Sequence, residues 1–179
     1  MLPDVIILNG TGSSGKTSIA KQLQERLPYQ FLNFSIDAVL YSLPPSDLQA
    51  IMEGRPIDRQ GYDYAQLVEG YHRCIPSLLE SGVKLILDNA WVDKEEYQQL
   101  RSLLSYYTVC TIGVKCDLDV AKKREKARGD RAIGLAEYEF PLVHQSMDYD
   151  FVIDSSHRCP QELAQDLLHQ LTLSSFSTA

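Results

Sequence analysis

Short apolar runs and helical repeats alternate along the chain. Val5 to Leu8 is an unbroken apolar run and predicts a buried strand; Phe31 to Ile36, Lys84 to Leu87, Tyr107 to Val114 and the short Phe151 to Ile153 predict four more. Between them the apolar positions recur at helical spacing. Lys16 to Leu27 carries Ile19, Leu23 and Leu27 on one stripe. Ala65 to Ser81 reads as a helix that Pro76 should kink and Gly82 should end. Asp93 with Glu96 opens a helix running to about Ser105, and Asp117 opens another over Leu118 to Arg128. Gly134 to His144 reads as a helix interrupted or bent at Pro141, and Pro160 to Leu171 as a last helix with Pro in its first turn. Pro44 to Tyr62 is rich in Pro, Gly and charge, and predicts a loop or lid with room for one turn of helix. The tail "SSFSTA" is expected to fray.

This alternation predicts an α/β fold: a five-stranded parallel sheet with helices on both faces. At 179 residues, with no internal repeat or linker, the chain suits a single domain. Hydrophobic residues make up 44% and charged residues 23%, a soluble globular balance, and no apolar run could cross a bilayer. No secretory leader is read at the start, so a cytoplasmic location and no membrane partner are expected. The formal charge of −7 argues against a nucleic-acid partner. Cys74, Cys110, Cys116 and Cys159 show no C-x-x-C or zinc-like spacing, and are expected to be small core residues in a reducing compartment.

The chemistry begins where the first strand ends. Gly10, Thr11, Gly12, Ser13, Ser14, Gly15, Lys16 and Thr17 fit G-x-x-x-x-G-K-[ST] in full, after a strand and at the start of a helix. Glycines let successive N–H groups turn inward, and the helix N-terminus adds partial positive charge. Lys16 would bridge the outer phosphates and the Thr17 hydroxyl would ligate Mg²⁺, so the loop implies a bound nucleoside triphosphate with magnesium.

In open parallel sheets ligands gather at the carboxyl ends of strands. Asp37 follows "FLNFSI" and Asp88 follows "KLIL", so both should face that crevice. Asp88 suits a role on the metal. Asp37 can accept the proton of an incoming hydroxyl and orient it for in-line attack. Either acid could instead cap a helix, and for Asp37 the two roles are compatible.

Lys122, Lys123, Arg124, Lys126, Arg128 and Arg131 place six of the chain's 17 basic residues within Val120 to Arg131. Most charge runs are solvated helix faces, and the three lysines fit that description. Arg128 and Arg131 flank "GD" at the helix end, where guanidinium groups could meet the charge of a transferring phosphoryl group; Arg124 is the weaker choice.

Taken in order, "VIILNGTGSSGKTS", "FLNFSIDAVL", "LILDNA", "IGVKCD", "KARGDRAIG" and "VHQSMDYDFVIDSS" resemble chloramphenicol phosphotransferase from the first strand to the last. The resemblance implies a three-layer P-loop kinase fold that moves the ATP γ-phosphate to a hydroxyl of a small antibiotic. It implies Asp37 as base, Lys16 as the loop lysine, and Arg128 and Arg131 as arginines of a mobile lid around 124–136. Two departures stand out. The family often has two consecutive acids after the third strand, whereas Asp88 is followed by Asn89. Residues 43–64, a variable insertion expected to shape the acceptor site, match poorly.

The leading function is thus an ATP-dependent small-molecule O-phosphotransferase. A kinase of another metabolite (a nucleoside, sugar or shikimate-like alcohol) is the first alternative, and a nucleotide-binding ATPase or regulator without an acceptor the second. A GTP switch is disfavoured: "DRQG" lies in a loop of the wrong character and "VKCD" lacks the Asn that reads guanine. Trp91 could touch an aromatic acceptor or fill the core, and His144 is expected to be structural. Oligomeric state is not legible.

Overall fold

A computed structural model describes residues 1–129, 132–145 and 147–176. Five strands, β1 (Val5–Asn9), β2 (Phe31–Asn33), β3 (Lys84–Asn89), β4 (Val109–Lys115) and β5 (Phe151–Asp154), form one parallel sheet in the order β2-β3-β1-β4-β5. The helices are α1 (Lys16–Gln24), α2 (Ile36–Leu40), α3 (Pro45–Met52), α4 (Tyr64–Glu80), α5 (Lys94–Leu103), α6 (Leu118–Arg128), α7 (Leu135–Glu139) and α8 (Pro160–Leu173).

β1 explains the layering. It lies between β3 and β4, and all five of its residues are buried. Strand side chains alternate between faces. Ile6 and Leu8 therefore join Ile19 and Leu23 of α1 and Leu163 and Leu167 of α8 in one core, while Val5 and Ile7 join Tyr71 and Ile75 of α4 and Leu100 of α5 in the other. An unbroken apolar run is what a strand covered on both faces requires.

Four expectations are corrected. The apolar run Phe31–Ile36 is strand only to Asn33. Beyond it Phe34 N still donates to Ile86 O of β3 (2.9 Å), but side chains take the next groups: the Tyr71 hydroxyl donates to Phe34 O (3.0 Å) and Ile36 N donates to Asn89 Oδ1 (3.1 Å). The chain can then turn into α2, so Asp37 sits in the first turn of a helix rather than at a strand tip. The loop expected over Pro44–Tyr62 holds the two-turn α3, started by Pro45 at a position that needs no N–H donor. The helix expected over Gly134–His144 is only α7, which ends ahead of Pro141. Of the cysteines, Cys110 and Cys116 are buried as expected, but Cys74 and Cys159 are exposed. Among the described residues no helix is long and apolar enough to cross a membrane.

Gly10 is needed for space. A Cβ there would lie 2.3 Å from Val114 O, inside the β4 ladder. Gly10→Ala should therefore lower the unfolding free energy by about 1–3 kcal/mol, the usual cost of overpacking a rigid site. Urea denaturation measures this; an unchanged midpoint would show that β1 and β4 can separate freely at that point.

Candidate active site

At the end of β1 the backbone enters a tight loop. Ser13 (φ 59°) and Gly15 (φ 95°) are left-handed, and Gly15 is the N-cap of α1. Left-handed residues among right-handed ones turn successive N–H groups into one concavity, and the first amides of α1 have no acceptor within the helix. The concavity is positive and shaped for phosphate.

The loop is braced from behind. The Ser155 hydroxyl lies 2.6 Å from Ser14 O, and Arg124 Nη2 donates to Ser155 O (2.7 Å) with Nη1 3.4 Å from Cys116 Sγ. Arg124 thus supports the phosphate loop from the α6 side. The Thr11 hydroxyl donates to Ala136 O (3.0 Å), and Gly12 N donates to Glu139 Oε2 (2.5 Å), so both tie the loop to α7. Lys16 is nearly buried and donates through Nζ to Gly10 O (2.6 Å) and Thr11 O (2.9 Å). Its ammonium is thereby held against the loop it serves.

Two oxygens meet at the start of α1: the Thr17 hydroxyl donates to Asp88 Oδ2 at 2.6 Å. Asp88 is buried near the end of β3, opposite Leu8 of β1. A hydroxyl and one carboxylate are hard oxygen donors and suit Mg²⁺ held jointly with substrate phosphates. Among the described residues no group of three or more His, Cys, Asp or Glu could hold a metal on its own.

One cavity of about 440 Å³ gathers most of the residues read from the sequence. Gly12, Ser13, Gly15, Lys16, Thr17, Asp88 and Arg128 line it together with Asp37. Asp37 is half-buried, and Ser35 rather than Asp37 stands at the cap position of α2. Ile36, Leu40, Ile51, Tyr64 and Val68 give the same cavity an apolar and aromatic stretch of wall. Gly10, Thr11 and Ser14 are not on this wall; they build and brace the loop instead. Arg131 lies outside the described residues. A separate cavity of about 400 Å³ continues past the loop on its other side, between Ser18, Arg124, Arg128, Ser155 and Arg158.

With this arrangement in view, the profile of the chloramphenicol phosphotransferase-like protein family matches residues 3–172. The chain belongs to that family. A relative in Mycobacterium tuberculosis named "Putative O-phosphotransferase" is 26% identical over 180 residues, covering 91% of this chain and 80% of the relative. A sugar kinase from Janibacter sp. HTCC2649 has the same fold, with TM-score 0.72 at 18% identity over 95% of each chain. So does the Mycobacterium tuberculosis APS kinase solved with AMPPNP and APS: TM-score 0.69 at 16% identity, covering 97% of this chain and 99% of that one. Family and fold together make the chain a phosphotransferase of the P-loop kinase type.

For this member of the chloramphenicol phosphotransferase-like family, the amide at the second acid position has a structural reason. Asn89 Nδ2 donates to the Tyr71 hydroxyl (2.9 Å) while its Oδ1 accepts from Ile36 N. One side chain thereby fixes the start of the helix that carries Asp37. Because the Tyr71 hydroxyl already donates to Phe34 O, a carboxylate at 89 would bring two acceptors together. Asn89→Asp should cost about 1–3 kcal/mol of stability. Chemical denaturation tests this, and an equally stable variant would remove Asn89 from the account.

Sequence reasoning missed Asn9, Glu125 and Glu139. Asn9 is fully buried; Nδ2 donates to Val143 O (2.7 Å) and the Tyr149 hydroxyl (2.9 Å), and Oδ1 accepts from Trp91 N (2.9 Å). His144 Nδ1 lies 2.7 Å from the same Tyr149 hydroxyl, and its role is this contact. Burial pushes the Tyr149 phenol up to about 12, and burial with nearby Lys115 and Lys16 pushes His144 down. The legible signal was a lone Asn ending an apolar run: such an amide needs partners. Glu125 accepts from Gly134 N and Ala136 N (both 2.9 Å) and so anchors α7, while Lys122 pairs with Glu137 at 3.1 Å and is no simple solvated lysine. Trp91 is 2% exposed and belongs to the core.

Proposed function

We propose that this chain transfers the γ-phosphoryl group of ATP to a hydroxyl of a small molecule. The observation that carries the proposal is the single cavity in which phosphate-loop residues and Asp37 share walls with an apolar chamber. A nucleotide switch or simple ATPase has no use for that chamber.

The donor's phosphates would lie on the loop amides and Lys16, and its nucleoside would extend toward Arg124, Ser155 and Arg158. That the APS kinase of the same fold was solved with AMPPNP supports a nucleoside triphosphate donor. Thr17 and Asp88 would hold Mg²⁺, which neutralises charge on the outer phosphates when bound. Asp37 accepts the proton of the acceptor hydroxyl and orients its oxygen toward phosphorus. The new O–P bond forms as the bond to the β-phosphate oxygen breaks, and ADP leaves with that oxygen. Lys16 and Arg128 face the developing charge; Arg131 is proposed to join them. An antibiotic is one acceptor class and a metabolite alcohol the other. The kinase neighbours keep the second open, since a sugar kinase and an APS kinase share the fold.

The test is incubation with ATP and Mg²⁺ across a panel of hydroxylated acceptors, followed by mass spectrometry. At least one acceptor is expected to gain a phosphoryl group with matching ADP release. ATP consumption that yields inorganic phosphate alone, whatever is added, would overturn the proposal.

A further inference from the structure

A polar pair that neither the loop nor the proton transfer uses lies where the active-site cavity meets a second one. Tyr64, Val68 and Glu96 line the active-site cavity and also a second cavity between α4 and α5, so the two spaces meet along this row of side chains. His72 of α4 lines the second space. Its side chain is only 5% exposed, yet Nε2 is buried with no hydrogen-bond partner among the described residues. The nearest acid oxygen, Glu96 Oε1, lies 3.6 Å away, beyond hydrogen-bond length. A buried nitrogen without a partner is uncommon, and a small shift of the His72 ring would open it to an incoming group.

The charge around the pair states what that partner should be. The active-site cavity is lined by the acids Asp37, Asp88, Glu96 and Glu139 and by two basic residues, Lys16 and Arg128, of which Lys16 is held against the phosphate loop. In the second space Arg73 is paired with Glu69 on the same helix, which leaves Glu96 as the acid turned toward an incoming group. Burial, with the charge of Asp93 adding to it, pushes the Glu96 carboxyl up, and burial pushes the His72 imidazole down. A neutral imidazole with its proton on Nδ1 accepts at Nε2, a carboxylate accepts at either oxygen, and an ammonium carries three donors. Two acceptors a few ångströms apart are what one ammonium satisfies.

We infer that Glu96 and His72 recognise a protonated amine on the acceptor, so that this kinase prefers alcohols carrying an amino group remote from the reacting hydroxyl. The inference rests on the phosphotransferase reading and narrows its substrate class. Carboxylated alcohols are disfavoured by the same charges.

The experiment compares matched probes: phenylalaninol with N-acetylphenylalaninol, glucosamine with glucose, and shikimate and gluconate as anionic alcohols. Binding is measured by saturation-transfer NMR with ADP present, and transfer by steady-state kinetics with ATP and Mg²⁺. Amines are expected to bind about tenfold or more tightly than their acetylated or deaminated partners, the size expected of a charge-assisted hydrogen bond. Glu96→Gln, nearly isosteric and on a half-exposed side chain, should shrink that preference about tenfold through KM rather than kcat, and His72→Gln should reduce it less. Matched thermal midpoints exclude unfolding as the cause. Equal binding of amines and neutral partners, or a preference untouched by Glu96→Gln, overturns the inference. The two claims separate cleanly. Glu96-dependent amine binding without transfer to any alcohol would sink the kinase reading and leave the amine site; transfer to neutral alcohols without Glu96 dependence would do the reverse.

Discussion

Asp37→Asn should lower kcat for phosphotransfer by about 10²–10⁴-fold, the range expected when a positioned general base is lost. The amide keeps the size of the side chain and its place in the first turn of α2, so the fold and the loop should persist. It cannot take a proton from an alcohol. Nucleotide affinity should change little, because in the proposed reaction the donor phosphates would be held by the loop, Lys16 and Thr17 rather than by α2. The measurement pairs single-turnover kinetics with equilibrium titration of an ATP analogue. A variant that transfers at the normal rate would show that the acceptor proton goes elsewhere.

Lys16→Ala should reduce kcat by about 10²–10³-fold and weaken nucleotide binding as well. Two losses combine here. The ammonium proposed to meet the phosphates is gone, and the two carbonyls it bridges, Gly10 O and Thr11 O, lose their donor. Both groups belong to the loop itself, so its shape should loosen. Lys16→Arg should not restore activity: a planar fork does not fit where a compact ammonium reaches two carbonyls at 2.6 and 2.9 Å. Kinetics with the two variants side by side distinguish charge from geometry. Recovery in the arginine variant would reduce the role of Lys16 to charge alone.

How much of this was legible in the sequence follows from where information is stored. β1 and the phosphate loop were readable because their constraints are local: four apolar residues buried on two faces, then glycines where a Cβ or a negative φ would fail. α6 was readable to the residue, Leu118–Arg128, because Asp117 and Gly129 flank it. The end of β2 was not. Phe34 and Ile36 are apolar and suit a strand, but Tyr71 and Asn89, 37 and 53 residues further along, take over the Phe34 carbonyl and the Ile36 amide. The position of Asp37 in a helix is thus a tertiary fact. Glu125 and Glu139 were hidden for the same reason: each was one acid among many until α7 folded back against the loop. Arg124 was undervalued because the sequence shows its charge but not that Ser155 and Ser14 come to lie beside it.

The central claim is that one bound donor and one acceptor hydroxyl meet at Asp37. A crystal structure with AMPPNP, Mg²⁺ and a phosphorylatable alcohol tests it most directly. The account predicts an Asp37 carboxylate oxygen about 2.6–3.2 Å from the acceptor hydroxyl, with that hydroxyl in line with the γ-phosphorus. A closed complex in which the Asp37 carboxylate points away from both would contradict it.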